Sequence, residues 1–259
     1  MQGQNQQQAY DRGITIFSPD GRLYQVEYAR EAVKRGSASI GVRAEDGVVL
    51  LVDKRIRSSL MEETSVEKIH KADNHIGIAS AGHVADARQL IDFARRNAQV
   101  NRLRYDEAIG VETLTKDITD HIQQYTQVGG ARPFGVALLI GGVDEDGSPR
   151  LFETDPSGTP NEWKALAIGS GRDDIQSYLE ENYQTDLELD EAVGLALRSL
   201  AETHEEGLTA SGIGVATVDA ESRSFVELTN DEIDEYLDDF DLQADSDAES
   251  AEDAEGADE

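Results

Sequence analysis

The stretch YDRGITIFSPDGRLYQVEYA, running from Tyr10 to Ala29, decides how the rest of the chain is read. Ser18-Pro19 has the chemistry of a helix start. A serine side chain accepts from free first-turn amides, and proline's fixed φ suits the first helical position. The helix is expected to continue to about Arg35, where Gly36 supplies the residue that ends it. Strand-like sequence follows at once, so this helix feeds directly into a sheet.

Working outward, residues 37–43 and 48–54 flank Glu45-Asp46-Gly47, a hairpin signal. Val48–Val52 is continuously apolar, which predicts a strand buried on both faces. Two short strands are expected near 66–70 and 75–81, across Asp73-Asn74. Val84, Ala87, Ile91, Ala94 and Ala98 recur at three- and four-residue steps, as do Val111, Leu114, Ile118, Ile122 and Tyr125, predicting two amphipathic helices. Strands are expected at 134–140, 150–154 and 165–168, helices at 172–183 and 189–205, and a last hairpin at 213–218 and 224–228. Ile233, Leu237 and Phe240 suggest a short terminal helix. Hairpin connections make the sheets mainly antiparallel. The expected fold class is α+β, a four-layer αββα sandwich, since two stacked sheets with a helix pair on each outer face bury every apolar stripe.

With 259 residues and no cysteine, the chain is long enough for a core without staples, and disulfides, thiolate metal sites and a cysteine nucleophile are excluded. The net charge is −30, from 23 basic and 53 acidic side chains. Such a surface argues against nucleic acid and anionic membranes as partners. Residues 241–259 hold nine acids and no Lys or Arg, and read as a disordered acidic tail. The other 240 residues still carry 44 acids against 23 bases, with six lysines against 17 arginines. That composition suits molar salt, where screening acts over ~3 Å. No apolar run reaches membrane-spanning length and the start lacks an apolar stretch, so a cytoplasmic protein is expected.

The five histidines form no HExxH pair and no compact cluster with carboxylates, so neither a metal nor a cofactor is expected. Gly169-Ser170-Gly171 lacks the lysine of a phosphate loop and reads as a tight strand-to-helix turn. Ser37, Asp53 and Lys68 fall on adjacent expected strands. A hydroxyl, a carboxylate and a lysine so placed can activate a nucleophile, but only if Ser37 offers a free α-amine as base. A helix precedes Ser37, which favours a non-catalytic role on the same fold. As a strand-end residue, Lys68 is expected to add little to the core.

The Tyr10–Ala29 segment resembles the signature of α-type subunits of the proteasome core particle, in Phe17-Ser18-Pro19, Gly21, Leu23 and Gln25-Val26-Glu27-Tyr28-Ala29. The likeness continues in Gly82-His83-Val84-Ala85-Asp86-Ala87-Arg88, in Arg132-Pro133-Phe134-Gly135-Val136 and in Gly169-Ser170-Gly171, covering residues 10 to about 235. The acidity resembles haloarchaeal members. The resemblance implies the sandwich of the N-terminal-nucleophile hydrolases. It also implies a non-catalytic subunit forming outer heptameric rings on proteolytic, threonine-dependent β rings, with proteins as substrates. Residues 1–12 would be a flexible gate segment, 13–240 the sandwich domain and 241–259 the tail. Tyr10, Asp11, Arg12, Pro19 and Tyr28 match the gate cluster. Lys68, Glu27 and Gly82 match the pocket between neighbouring subunits that receives C-terminal tails of a proteasome-activating AAA ATPase. His83 stands where many members carry leucine.

Overall fold

The computed structural model describes residues 17, 21, 23–56, 58, 60–62, 65–127, 131–205 and 207–244. Ten strands among them form two five-stranded, wholly antiparallel sheets. One has the order β10-β9-β2-β1-β8, with β1 Ser39–Arg43, β2 Gly47–Asp53, β8 Ala165–Ile168, β9 Ile213–Asp219 and β10 Ser224–Glu227. The other runs β3-β4-β5-β6-β7, with β3 Ile69–Asp73, β4 Ile76–Gly82, β5 Val136–Val143, β6 Pro149–Thr154 and β7 Pro160–Glu162. Six α-helices among the described residues accompany them: α1 Tyr24–Lys34, α2 Val84–Tyr105, α3 Val111–Gln127, α4 Arg172–Asn182, α5 Leu189–Ala201 and α6 Asn230–Asp239.

The period of two along β2 shows why its apolar run is uninterrupted. Val48, Leu50 and Val52 face the space between the sheets, where they meet Ala79, Ala137, Leu139 and Leu151. Val49 and Leu51 face the other way, into a cluster with Ala192, Val193, Ala196 and Leu200 of α5 and with Ile175 and Leu179 of α4. On the far side, Leu90, Ile91, Leu114 and Ile118 from α2 and α3 cover Ile76, Ile78, Leu138 and Ile140. These three clusters are the filling of a four-layer αββα sandwich, as the stripes require.

Glycines admit the large side chains between the sheets. A β-carbon on Gly141 would stand 2.7 Å from Val48 Cγ1, one on Gly41 2.8 Å from Leu151 Cδ1, and one on Gly77 2.7 Å from Phe225 Cε2. Each absence makes room for a neighbour from the opposite sheet, the interdigitation that gives protein interiors their density.

Several boundaries differ from the sequence reading. Among the described residues the first helix begins at Tyr24; Gly21 has φ 74°, and Leu23, the N-cap, is extended with no side-chain cap, while the expected Ser18-Pro19 start lies outside the described residues. The third strand spans 69–73 instead of 66–70. α2 reaches Tyr105, beyond the apolar stripe that ends at Ala98; Arg102 holds buried Asp73 through both carboxylate oxygens at 3.1 and 3.0 Å, and Asp106 closes the helix in the left-handed region. β7 has three exposed residues and so offers no apolar pattern to read. The terminal helix starts at Asn230 with a capping box between Thr229 and Glu232.

Placing a valine at Gly141 tests the sheet-to-sheet fit. The Gly141→Val chain is expected to lose about 1–3 kcal/mol through overpacking. The midpoint of urea unfolding in molar salt reads this directly, and an unchanged midpoint would show that the interior has slack.

Candidate functional site

α1 is amphipathic in a minimal way. Val26, Ala29 and Val33 form its buried stripe, and Val33 joins the cluster between the two sheets. The helix lies over the ends of β4 and β5 and closes the sandwich there. It stops at Gly36, whose amide donates to Val33 O at 2.9 Å. A β-carbon at Gly36 would run into the Gly82 amide, and one at Gly82, where φ is 118°, into Gly135 O. Ser170 N donates to Gly36 O at 2.8 Å, and a β-carbon on Gly169 would stand 2.6 Å from Ser37 O. The ends of β4, β5 and β8 therefore converge on the one peptide that leads into β1.

Beneath this joint the Ser37 and Lys68 side chains meet over the main-chain carbonyl of Asp53. Ser37 Oγ donates to Asp53 O at 2.7 Å. Lys68 Nζ donates toward Ser37 Oγ at 2.7 Å, Asp53 O at 2.9 Å, Ser37 O at 3.0 Å and Ala38 O at 3.1 Å. An ammonium has three protons, so these four oxygens saturate it. The Asp53 carboxylate is buried and accepts from Arg55 N at 2.8 Å, while Arg55 Nη2 reaches Ser170 Oγ at 3.2 Å. Burial pushes the Lys68 amine down to about 8; the Asp53 charge opposes this and Arg55 adds to it. At neutral pH the group is still an ammonium.

The expectation that Lys68 adds little as a strand-end residue is corrected here. Lys68 precedes β3, and its head turns inward as a staple across three main-chain carbonyls. Freeing the Ser37 nitrogen to act as a base would require cutting the chain behind α1, the helix that places Val33 between the sheets. Ser37 and Lys68 meet directly, but Asp53 joins them through its main-chain carbonyl while its carboxylate accepts from Arg55 N, so the hydroxyl, carboxylate and lysine side chains do not come together as the nucleophilic trio the sequence suggested.

Of the expected docking residues, Gly82 and Lys68 meet at this joint, one against Gly36 and the other against Ser37. Glu27 stands nine residues before Gly36 along α1, roughly 14 Å up the helix axis at 1.5 Å per residue. Its carboxylate accepts from Arg30 Nη1 at 2.6 Å. Tyr28 is 53% exposed. Tyr10, Asp11, Arg12 and Pro19 lie outside the described residues, as does most of the tail.

Three further groups support the site and carry no local signal of their contacts. Asp86, in the first turn of α2, accepts from Arg132 at 2.6 and 2.7 Å and from Gly135 N at 2.9 Å. Burial pushes its carboxyl up, but those bonds outweigh it and hold the group below the usual carboxylate range. Arg30 reaches Asp155 at 2.7 and 3.1 Å across 125 residues. A groove of about 950 Å³ lies beside α1, with Val33, Trp163 and Ile168 among its lining residues. Among the described residues no cluster of histidines or carboxylates is arranged to hold a metal ion, and no helix is long and apolar enough to cross a membrane.

Comparison with known proteins gives a consistent result. A family model described as proteasome subunit matches residues 33–218, and one described as the N-terminal signature of A-type proteasome subunits matches residues 10–32. The proteasome alpha subunit of Haloquadratum walsbyi is 74% identical over 243 residues, covering 94% of this chain and 97% of the relative. The proteasome alpha 1 subunit of Haloferax volcanii is 74% identical over 252 residues, covering 97% of this chain and 100% of the relative. The proteasome alpha subunit of Natronomonas pharaonis is 73% identical over 250 residues, 96% of this chain and 98% of the relative.

Lys68→Met keeps the stem and removes the ammonium, leaving buried carbonyls short of a donor. A loss of about 1–3 kcal/mol in urea unfolding at pH 7 is expected. The pH dependence has a definite sign. The folded amine sits near 8, below the ~10.4 of an exposed lysine, so between these values the unfolded chain binds more protons. The native chain should therefore gain stability as pH rises through that window, and Lys68→Met should lack the gain. Equal pH profiles would remove the staple.

Proposed function

The chain belongs to the proteasome subunit family as an α-type subunit, and from that premise we propose that it is a non-catalytic ring and gate component of a haloarchaeal core particle. Seven copies form each outer ring, stack on the β rings that carry the proteolytic threonines, and govern the admission of unfolded proteins. A cytoplasmic AAA ATPase docks on the ring through its C-terminal tails.

The observation that carries this reading is the packing of α1 into the joint before Ser37, where Gly36 abuts Gly82 and Val33 lies between the sheets. An N-terminal-nucleophile enzyme would need a free amine at Ser37, just before β1. Here α1 leads into that position, seals the space between the sheets through Val33, and leaves the hydroxyl and the lysine bound to main-chain carbonyls. The same residues suit docking. Lys68 presents a positive charge at neutral pH, and a chain-terminal carboxylate is the ligand for which an ammonium can exchange one of its carbonyl partners. Glu27 and Gly82 complete the pocket proposed for that tail.

The gate reading assigns residues 1–12 to a polar segment that narrows the axial pore, followed by the 13–240 sandwich and the 241–259 acidic tail. Tyr10, Asp11 and Tyr28 supply phenols and a carboxylate that can exchange hydrogen bonds between neighbouring copies. Arg12 supplies a cation beside them, and Pro19 fixes a turn.

Deleting residues 2–12 tests the gate. Assembled particles lacking them should hydrolyse an unfolded protein faster, while tripeptide-sized substrates change much less; equal effects on both sizes would argue against a gate. A separate test uses pH. Stimulation by a short peptide carrying the ATPase's C-terminal carboxylate should fade as pH rises through about 8, where Lys68 loses its proton. Stimulation that persists unchanged to pH 10 would assign the carboxylate to another cation.

A further inference from the structure

Arg30 uses all three of its guanidinium nitrogens. Nη1 donates to Glu27 Oε1 at 2.6 Å, one turn earlier on α1. Nε and Nη2 donate to Asp155 Oδ2 at 3.1 and 2.7 Å. The other oxygen of Asp155 organises the loop between β6 and β7, accepting from Ser157 N at 3.2 Å, Ser157 Oγ at 2.5 Å and Thr159 N at 3.1 Å. Burial raises the Asp155 carboxyl, but the Ser157 and Arg30 hydrogen bonds prevail, so it ionises below the usual range and stays an anion near neutral pH. One planar cation thus joins an α1 carboxylate to a loop of the second sheet.

The setting gives this link mechanical meaning. α1 is eleven residues long and buries only Val26, Ala29 and Val33. Beside it lies the groove of about 950 Å³, with Arg30 and Asp155 among its lining residues. The apolar stripe holds α1 from below, and the Arg30–Asp155 contact ties it to the β6–β7 side of that groove. Glu27 and Arg30 are 38% and 43% exposed at their side chains, so a ligand can reach the helix end of the chain, whereas Asp155 at 20% is the fixed end.

We propose that Arg30 is the positioning residue of the tail-docking pocket, holding Glu27 and α1 in register with the Asp155 loop so that a ligand at Glu27 moves the helix as a unit. This rests on the docking reading above. A lysine cannot take the place of Arg30, because a single ammonium does not reproduce the planar fork that spans two carboxylates.

The experiment measures stimulation of unfolded-protein hydrolysis by assembled particles, titrated with the ATPase C-terminal peptide, against its amidated form as a control. Asp155→Asn keeps an oxygen for the loop amides and keeps the Arg30–Glu27 pair. Its half-saturating peptide concentration should stay within about threefold of wild type, and its maximal stimulation should fall by about fivefold, the scale of a partly exposed charge-assisted hydrogen bond. Arg30→Gln leaves the loop's own hydrogen bonds in place and should lower the maximum similarly, and Arg30→Lys should not restore it. The double variant should be no worse than Arg30→Gln alone, within about twofold, because the two residues act through one contact. Full stimulation in Asp155→Asn, strictly additive losses, or a rise in half-saturating concentration with an unchanged maximum would each overturn the assignment. Wild-type particles that ignore the peptide would instead overturn the docking reading on which it rests.

Discussion

Gly36 and Gly82 meet backbone to backbone where the ends of the two sheets converge, and neither has room for a β-carbon. Much else follows from that approach. It lets α1 end directly over β4 and β5, with Val33 between the sheets. It brings Gly36 O to Ser170 N and sets Ser37 where Lys68 can collect its hydroxyl and three carbonyls. Any side chain at Gly36 would push the α1-to-β1 connection away from β4 and open the space that α1 covers. Whether such a sandwich end serves as an active site or as a joint turns on whether α1 stays in place over it. With α1 in place, Lys68 donates to three main-chain carbonyls and acts as a staple.

The acidic surface gives the few cations specific work. Arg150 lies among Glu112, Asp144 and Glu162, at 3.1, 3.3 and 2.6 Å. Arg132 clamps Asp86, Arg102 clamps Asp73 and Arg30 joins Glu27 to Asp155. Arginine outnumbers lysine, and its fork suits geometries in which one cation must satisfy two or three carboxylate oxygens. Salt weakens the exposed pairs most and the half-buried ones least, so contacts to buried Asp73 and Asp86 are the ones that survive in molar salt.

The layers were legible because they follow from local periodicity. Val48–Val52 has no polar face and is buried on both sides; Val84 to Ala98 and Val111 to Tyr125 carry helical stripes and pack on the sheet that those stripes require. Less legible was whatever depends on partners far along the chain. Nothing near Lys68 tells that its head turns inward, since its partners stand 15 to 31 residues away. Glu27 and Arg30 at a three-residue spacing suggest an ion pair, but Asp155 is 125 residues distant. The N-terminal boundary of α1 was not legible, because Leu23 caps it without a side-chain hydrogen bond and Gly21 just before it turns into the left-handed region. The docking residues and the gate cluster came from family likeness rather than from any pattern of burial or charge.

The reading of the Ser37–Asp53–Lys68 arrangement as a joint has one most direct test: the intact mass of this chain taken from particles that are actively degrading protein. The expected species runs unbroken through the Gly36–Ser37 bond. A chain in the same particles that begins at Ser37, lighter by the 36 preceding residues, would contradict it and return the trio to catalysis.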